Sequence, residues 1–162
     1  MKVARRFVSS WIVLAIAAWG GCAPPSAQEP IASAAEVEAA VAAFVAAWEQ
    51  EDLDAAVGAF VSDAIAFDPA PPGKFDGIEG IRGWTSGSFD ALEQISITLE
   101  DLRIQTAGPV AWVSARYRFE AQQNGEPAGD EGNLSMVWVR QADGVYKAAL
   151  FHASRLPEAP SD

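Results

Sequence analysis

Apolar residues recur with a helical period in the first half of the chain and with a strand period in the second, and this change divides it. Ser33 with Glu36 three residues on makes a capping-box signature, and Val37, Val41, Phe44, Val45 and Trp48 then return to one face. This spacing predicts a helix from Ser33 to about Glu51. Asp52-Leu53-Asp54 restarts a shorter helix in which Leu53, Val57, Phe60 and Val61 share a side, so the two should form a hairpin. Ile65 to Asp68 reads as a short strand ended by Pro69. The stretch from Pro69 to Lys74, with three prolines and a glycine, reads as a loop, and a third helix is predicted over Ile78 to Trp84.

From Ile95 the period is two. Ile95, Ile97 and Leu99 hold odd positions but Leu102 and Ile104 even ones, so one apolar face survives only if a β-bulge absorbs a residue near Glu100-Asp101. Gly108-Pro109 turns the chain into a strand over Val110 to Ala121. There Val113, Ala115, Tyr117 and Phe119 share one face and Arg116, Arg118 and Glu120 the other. Gln122 to Gly132 is polar and reads as a loop long enough to move or to cover a pocket mouth. Leu134, Met136 and Trp138 alternate along a further strand, and Ala142-Asp143-Gly144 makes a hairpin into a last one, Val145 to Ala153. The expectation is one α+β domain over 33–156, with N-terminal helices packed in a curved antiparallel sheet and a disordered tail over 157–162.

Ahead of this domain, Lys2, Arg5 and Arg6 precede an apolar run from Phe7 to Trp19, followed by Gly20, Gly21 and the only cysteine, Cys22. A membrane helix needs about 20 apolar residues, so the run suits a cleavable export signal over residues 1–21 better than a permanent span. The ending resembles the bacterial lipobox, in which the cysteine is acylated. That resemblance implies an exported protein anchored in the cell envelope, on the periplasmic side, through lipid on Cys22. Without acylation the chain would be secreted or a soluble periplasmic protein. Residues 22–32 carry Pro24, Pro25 and Pro30 among small polar neighbours and form a disordered tether.

The chain has 22 acidic against 11 basic residues and a net charge of −11, and three of the basic residues lie in the leader. This excludes nucleic acid as a partner and disfavours electrostatic adhesion to anionic lipid, leaving acyl chains as the contact with the membrane. Cys22, once acylated, leaves no thiol for a disulfide or a nucleophile. One histidine without free cysteine supplies no usual transition-metal site, and no motif calls for a cofactor.

Phe44-Val45-Ala46-Ala47-Trp48, Glu51-Asp52-Leu53-Asp54, Phe60-Val61-Ser62-Asp63-Ala64, Phe67-Asp68-Pro69, Gly80-Ile81-Arg82-Gly83-Trp84 and Leu150-Phe151-His152-Ala153-Ser154 stand in a specific order. In that order they resemble the SnoaL-like and ketosteroid-isomerase-like superfamily, with its nuclear-transport-factor-like fold, over Val37 to Ser154. The resemblance implies a cone of sheet and helices around an apolar pocket, and an outer sheet face through which two copies can pair. It implies no single reaction, since the fold hosts isomerases, cyclases, dehydratases and proteins with no known chemistry.

Asp68 followed by Pro69 matches the general base of the ketosteroid isomerases, and a carboxylate at an apolar pocket has its pKa raised toward that task; an Asp-Pro pair also starts turns at strand ends. The two oxyanion donors of those isomerases fall here on Phe44 and near Met136, neither of which donates a hydrogen bond. Tyr117 or Tyr146 would substitute only with its hydroxyl turned inward. His152 is the second catalytic candidate, because its unperturbed pKa lies near neutrality. An odd-length final hairpin loop puts it on the pocket face, and an even-length one puts Phe151 there instead. Likeness of Ala149-Leu150-Phe151 to the isomerases favours Phe151 inside. Phe-His-X-Ser also resembles the calmodulin-dependent-kinase association domain, whose basic pocket residue is replaced by Ala153. The residues expected to line the pocket are Phe44, Trp48, Phe67, Trp84, Tyr117, Phe119, Met136, Trp138 and Phe151. Arg82 and Arg116 read as solvated surface charges. The resulting expectation is a lipid-anchored, non-catalytic domain that binds an apolar small molecule or a partner. The competing one is an isomerase, dehydratase or cyclase with Asp68 as base.

Overall fold

The computed structural model describes residues 33–156. The signal segment, Cys22, the tether and the tail lie outside the described residues.

Helix α1 (Ala34–Glu49) opens at Ser33, whose hydroxyl accepts from the Glu36 N–H at 3.5 Å. The Ser33 N–H donates to Tyr146 Oη at 3.0 Å, which ties the start of α1 to the start of the last strand. Helix α2 (Leu53–Gly58) is capped by Asp52, which accepts from the Ala55 N–H at 3.0 Å. It is shorter than its apolar spacing predicted. Phe60 and Val61, expected on the helix, instead begin strand β1 (Phe60–Phe67), because Gly58 and Ala59 end the helix and Phe60 pairs with Ala148. A short strand β2 (Lys74–Asp76) follows where only loop was expected, and α3 (Gly77–Ala91) is twice as long as its predicted span. Glycines 80, 83 and 87 had weakened the helical signal there.

Strands β3 (Glu93–Ala107), β4 (Val110–Gln123), β5 (Glu126–Arg140) and β6 (Tyr146–Arg155) complete a six-stranded sheet in the order β2-β1-β6-β5-β4-β3. The sheet is curved and unclosed, and one pair, β1 with β6, runs parallel where every pair was expected antiparallel. A bulge between Glu100 and Arg103, with Asp101 at φ 53°, supplies the predicted phase change in β3. The predicted loop over Gln122 to Gly132 is absent. A two-residue turn, Asn124-Gly125 at φ 54° and 80°, closes a hairpin in which Gln123 pairs with Glu126, and both strands run on through polar sequence. These residues are polar because they stand at the rim of the sheet, not because they are irregular.

Val37, Val41 and Phe44 from α1, Ile81 and Trp84 from α3, and Met136 and Trp138 from β5 form the core between the helices and the concave sheet face. The result is the expected α+β cone.

Candidate functional site

The helices fill the cone only in part. A cavity of about 750 Å³ remains, walled by Phe44 and Trp48 of α1, Trp84 of α3, Tyr117 and Phe119 of β4, Met136 of β5 and Phe151 of β6, with Phe75 beside them. The rings support one another: Trp84 stacks on Phe75 at 5.4 Å and 19°, and tilts against Trp48 at 5.1 Å and Phe151 at 5.3 Å. Gly83 and Gly87 of α3 also line this space, and a Cβ built on either meets nothing within 4 Å. The helix face that would ordinarily carry apolar side chains into the core is bare there, which enlarges the cavity. Their i, i+4 spacing is the signal that could have found them.

Strand parity decides which of the neighbouring residues 67 and 68 enters. Ala64 and Ala66 are fully buried on the inner face of β1, so Asp68 continues that face and Phe67 points outward. Asp68 Oδ1 accepts from the Ala70 N–H at 2.8 Å, so the residue both starts the turn and lines the cavity. Burial pushes its pKa up and the charge of Asp130 adds to this, while the Ala70 N–H and Arg155 oppose it.

Two further charged residues stand in the same wall, Asp130 of β5 and Arg155 of β6, joined through Arg155 Nε and Asp130 Oδ2 at 2.5 Å. Tyr117 stands near Asp130, and burial first, then the Asp130 carboxylate, raise its pKa far above the usual phenol range. Asp68, Tyr117, Asp130 and Arg155 thus make one polar pole in a largely apolar cavity. Asp130 went unnoticed in the sequence because it fell inside the supposed loop, and Arg155 because it lies past the expected end of the last strand. Period-two counting continued through both segments would have placed them on the inner face.

Three expected site residues are corrected. Phe67 is 37% exposed and lies on the outer face, where its ring meets His152 edge-on at 6.0 Å. His152 pairs with Phe67 and Ser135, is exposed, and does not line the cavity. A bulge between Val137 and Trp138 across β5 and β6 brings Phe151 inside instead. Trp138 faces inward but is 0% exposed, packed below the cavity and absent from its wall. Tyr146, the other candidate hydroxyl, is occupied at the start of α1. Of the two surface arginines, Arg82 pairs with Asp54 at 3.0 Å, and Arg116 stays on the outer face opposite Glu100 and Asn133. Among the described residues no group of His, Cys, Asp and Glu has the arrangement of a metal site.

No curated protein matches the chain in sequence. Solved structures do match in fold. A candidate dehydratase of the NTF2-like family from Streptomyces avermitilis superposes with a TM-score of 0.70 at 20% identity, over 76% of this chain and 96% of its own. A candidate calcium/calmodulin-dependent protein kinase II association domain from Xanthomonas campestris gives 0.70 at 16%, over 79% and 91%. A ketosteroid isomerase-like protein from Erwinia carotovora atroseptica gives 0.67 at 17%, over 76% and 96%. At these identities they share the fold alone. The SnoaL-like domain family matches residues 37–158, and the chain belongs to that family.

Proposed function

We propose that this domain binds an apolar small molecule in its cavity without transforming it, and that the protein is exported and held in the cell envelope by lipid on Cys22. The observation that carries the binding reading is the cavity itself: about 750 Å³ walled largely by aromatic rings, with polar groups gathered at one pole. This is the build of a small-molecule site. The absence of chemistry is supported by the state of the polar groups. Phe44 and Met136, at the positions of the isomerases' two oxyanion donors, donate nothing, and Arg155 is held to Asp130 through Nε.

Titration with the neutral fluorophore N-phenyl-1-naphthylamine tests the reading. Saturable enhancement of its emission at one site per chain, abolished by Met136→Trp in a protein that still melts cooperatively, is expected. Absence of saturable binding would refute it. For the anchor, intact mass of the membrane fraction should show an acylated Cys22, and Cys22→Ser should be unprocessed or soluble; an unmodified native Cys22 would overturn the anchor.

A second reading has one observation in its favour. Asp68 faces the cavity and burial raises its pKa, the direction that a general base for isomerisation, dehydration or cyclisation requires. An Asp68→Asn protein with unchanged turnover of any substrate found would remove it.

A further inference from the structure

The polar pole holds one open acceptor, the carboxylate of Asp68, beside the paired Arg155 and Asp130. Asp68 carries an acceptor-only carboxylate when ionised, and among the described residues its one hydrogen-bond donor is the Ala70 N–H, on Oδ1. Tyr117 keeps its proton, since burial and the Asp130 charge raise its pKa, and its hydroxyl can both donate and accept. Arg155 Nε is engaged by Asp130 Oδ2. Ser88, also in the wall, donates to the Trp84 carbonyl at 3.0 Å. Neutral N–H groups in the wall come from Gln123 and from the Trp48 indole, whose Nε1 is buried without a hydrogen-bond partner.

Charge gives the same answer. The charged groups lining the cavity are Asp68, Asp130 and Arg155, and the last two neutralise each other. One carboxylate is left without an oppositely charged partner in salt-bridge contact. An anionic ligand would meet that carboxylate, and the one cation in the wall, Arg155, is already neutralised by Asp130. A cationic ligand would complete the pair and find aromatic faces in the same wall in Trp84, Phe75 and Phe151. The acidic surface, at a net charge of −11 over the chain, draws cations and repels anions.

We infer that the ligand class is a protonated amine on an apolar, ring-sized body, with its ammonium on Asp68 and its body among the aromatic rings. An ammonium brings three donors and one positive charge to a carboxylate that has no cationic side chain in salt-bridge contact. The inference rests on the binding reading above and names the ligand for that same cavity.

Displacement of N-phenyl-1-naphthylamine by a matched series at pH 7 tests it: 1-naphthylmethylamine, 1-naphthylmethanol, 1-naphthoic acid and 1-methylnaphthalene. The amine should compete about ten-fold better than the alcohol, the difference between a charge-assisted and a neutral hydrogen bond, and the acid should be weakest. In Asp68→Asn, with its fold checked by melting, the lead of amine over alcohol should fall below about two-fold. In Glu120→Gln, which removes the same charge from the outer face, it should persist, separating direct contact from the general acidic field. Equal amine and alcohol affinities, or a lead that survives Asp68→Asn, would overturn the amine while leaving the pocket standing. Failure of the fluorophore and 1-methylnaphthalene to bind at all would bring down the pocket and the amine together.

Discussion

Tyr117 and Gly132 face each other across β4 and β5, and the tyrosine ring occupies the space that a side chain on residue 132 would need. A Cβ on Gly132 would lie 2.9 Å from Tyr117 Cε1 and closer still to the Ser154 carbonyl oxygen of β6. The glycine therefore allows three strands to close around the polar pole. Gly132→Ala should cost about 2–3 kcal/mol, as overpacking against backbone does, seen as a lower urea midpoint at unchanged slope. An unchanged midpoint would show that β6 has room to retreat.

Gly83 and Gly87 should separate stability from binding. Alanine at either position meets open space and improves helix propensity, so each substitution should raise stability by up to about 1 kcal/mol. Both methyls enter the cavity, so the Gly83→Ala, Gly87→Ala double variant should bind N-phenyl-1-naphthylamine more weakly than the native protein while melting higher. Tighter binding would mean that the cavity is too wide for its occupant.

Asp68 should make stability depend on pH in the sense opposite to an ion-paired carboxylate. Its pKa in the folded protein lies above the ordinary 3.8, so folding disfavours its charged form. Its favourable contribution is fully present below the unfolded-state pKa and is lost as pH rises through the folded-state value. Asn keeps the acceptor for the Ala70 N–H and never ionises. Asp68→Asn should therefore melt above the native protein at pH 7, with the gain shrinking to nothing by about pH 3. A gain that grows on acidification would reverse the assignment.

His152 and Trp138 should behave oppositely to what their chemistry suggests. The exposed imidazole touches Phe67 outside the cone, so His152→Ala should shift stability by less than about 1 kcal/mol and leave fluorophore binding unchanged. Trp138, 0% exposed, should cost about 3–5 kcal/mol when cut to Ala in urea melts. Loss of binding in His152→Ala would return the histidine to the site.

The sequence disclosed the fold through features that local chemistry controls: the Ser33 cap, the parity change in β3, and the alternation of Val113 to Phe119 and of Leu134 to Trp138. It also placed most of the aromatic wall, because inward parity and a large apolar side chain coincide at Phe44, Trp48, Trp84, Phe119 and Phe151. It misplaced residues wherever parity depended on a partner strand. The face of His152 is settled by a bulge between β5 and β6, and the outward turn of Phe67 by its pairing with β6. Asp130 was hidden because polar sequence at a sheet rim and polar sequence in a loop have the same composition. The tight Asn124-Gly125 turn, which was legible, should have decided between them.

The bond from the Ser33 N–H to Tyr146 Oη bears on orientation as well as on capping. Tyr146 begins β6 and Arg155 ends it, so the chain enters the domain about 30 Å along that strand from the polar pole of the cavity. The polar pole therefore lies at the end of β6 remote from the point where the chain enters the domain, clear of whatever precedes Ser33.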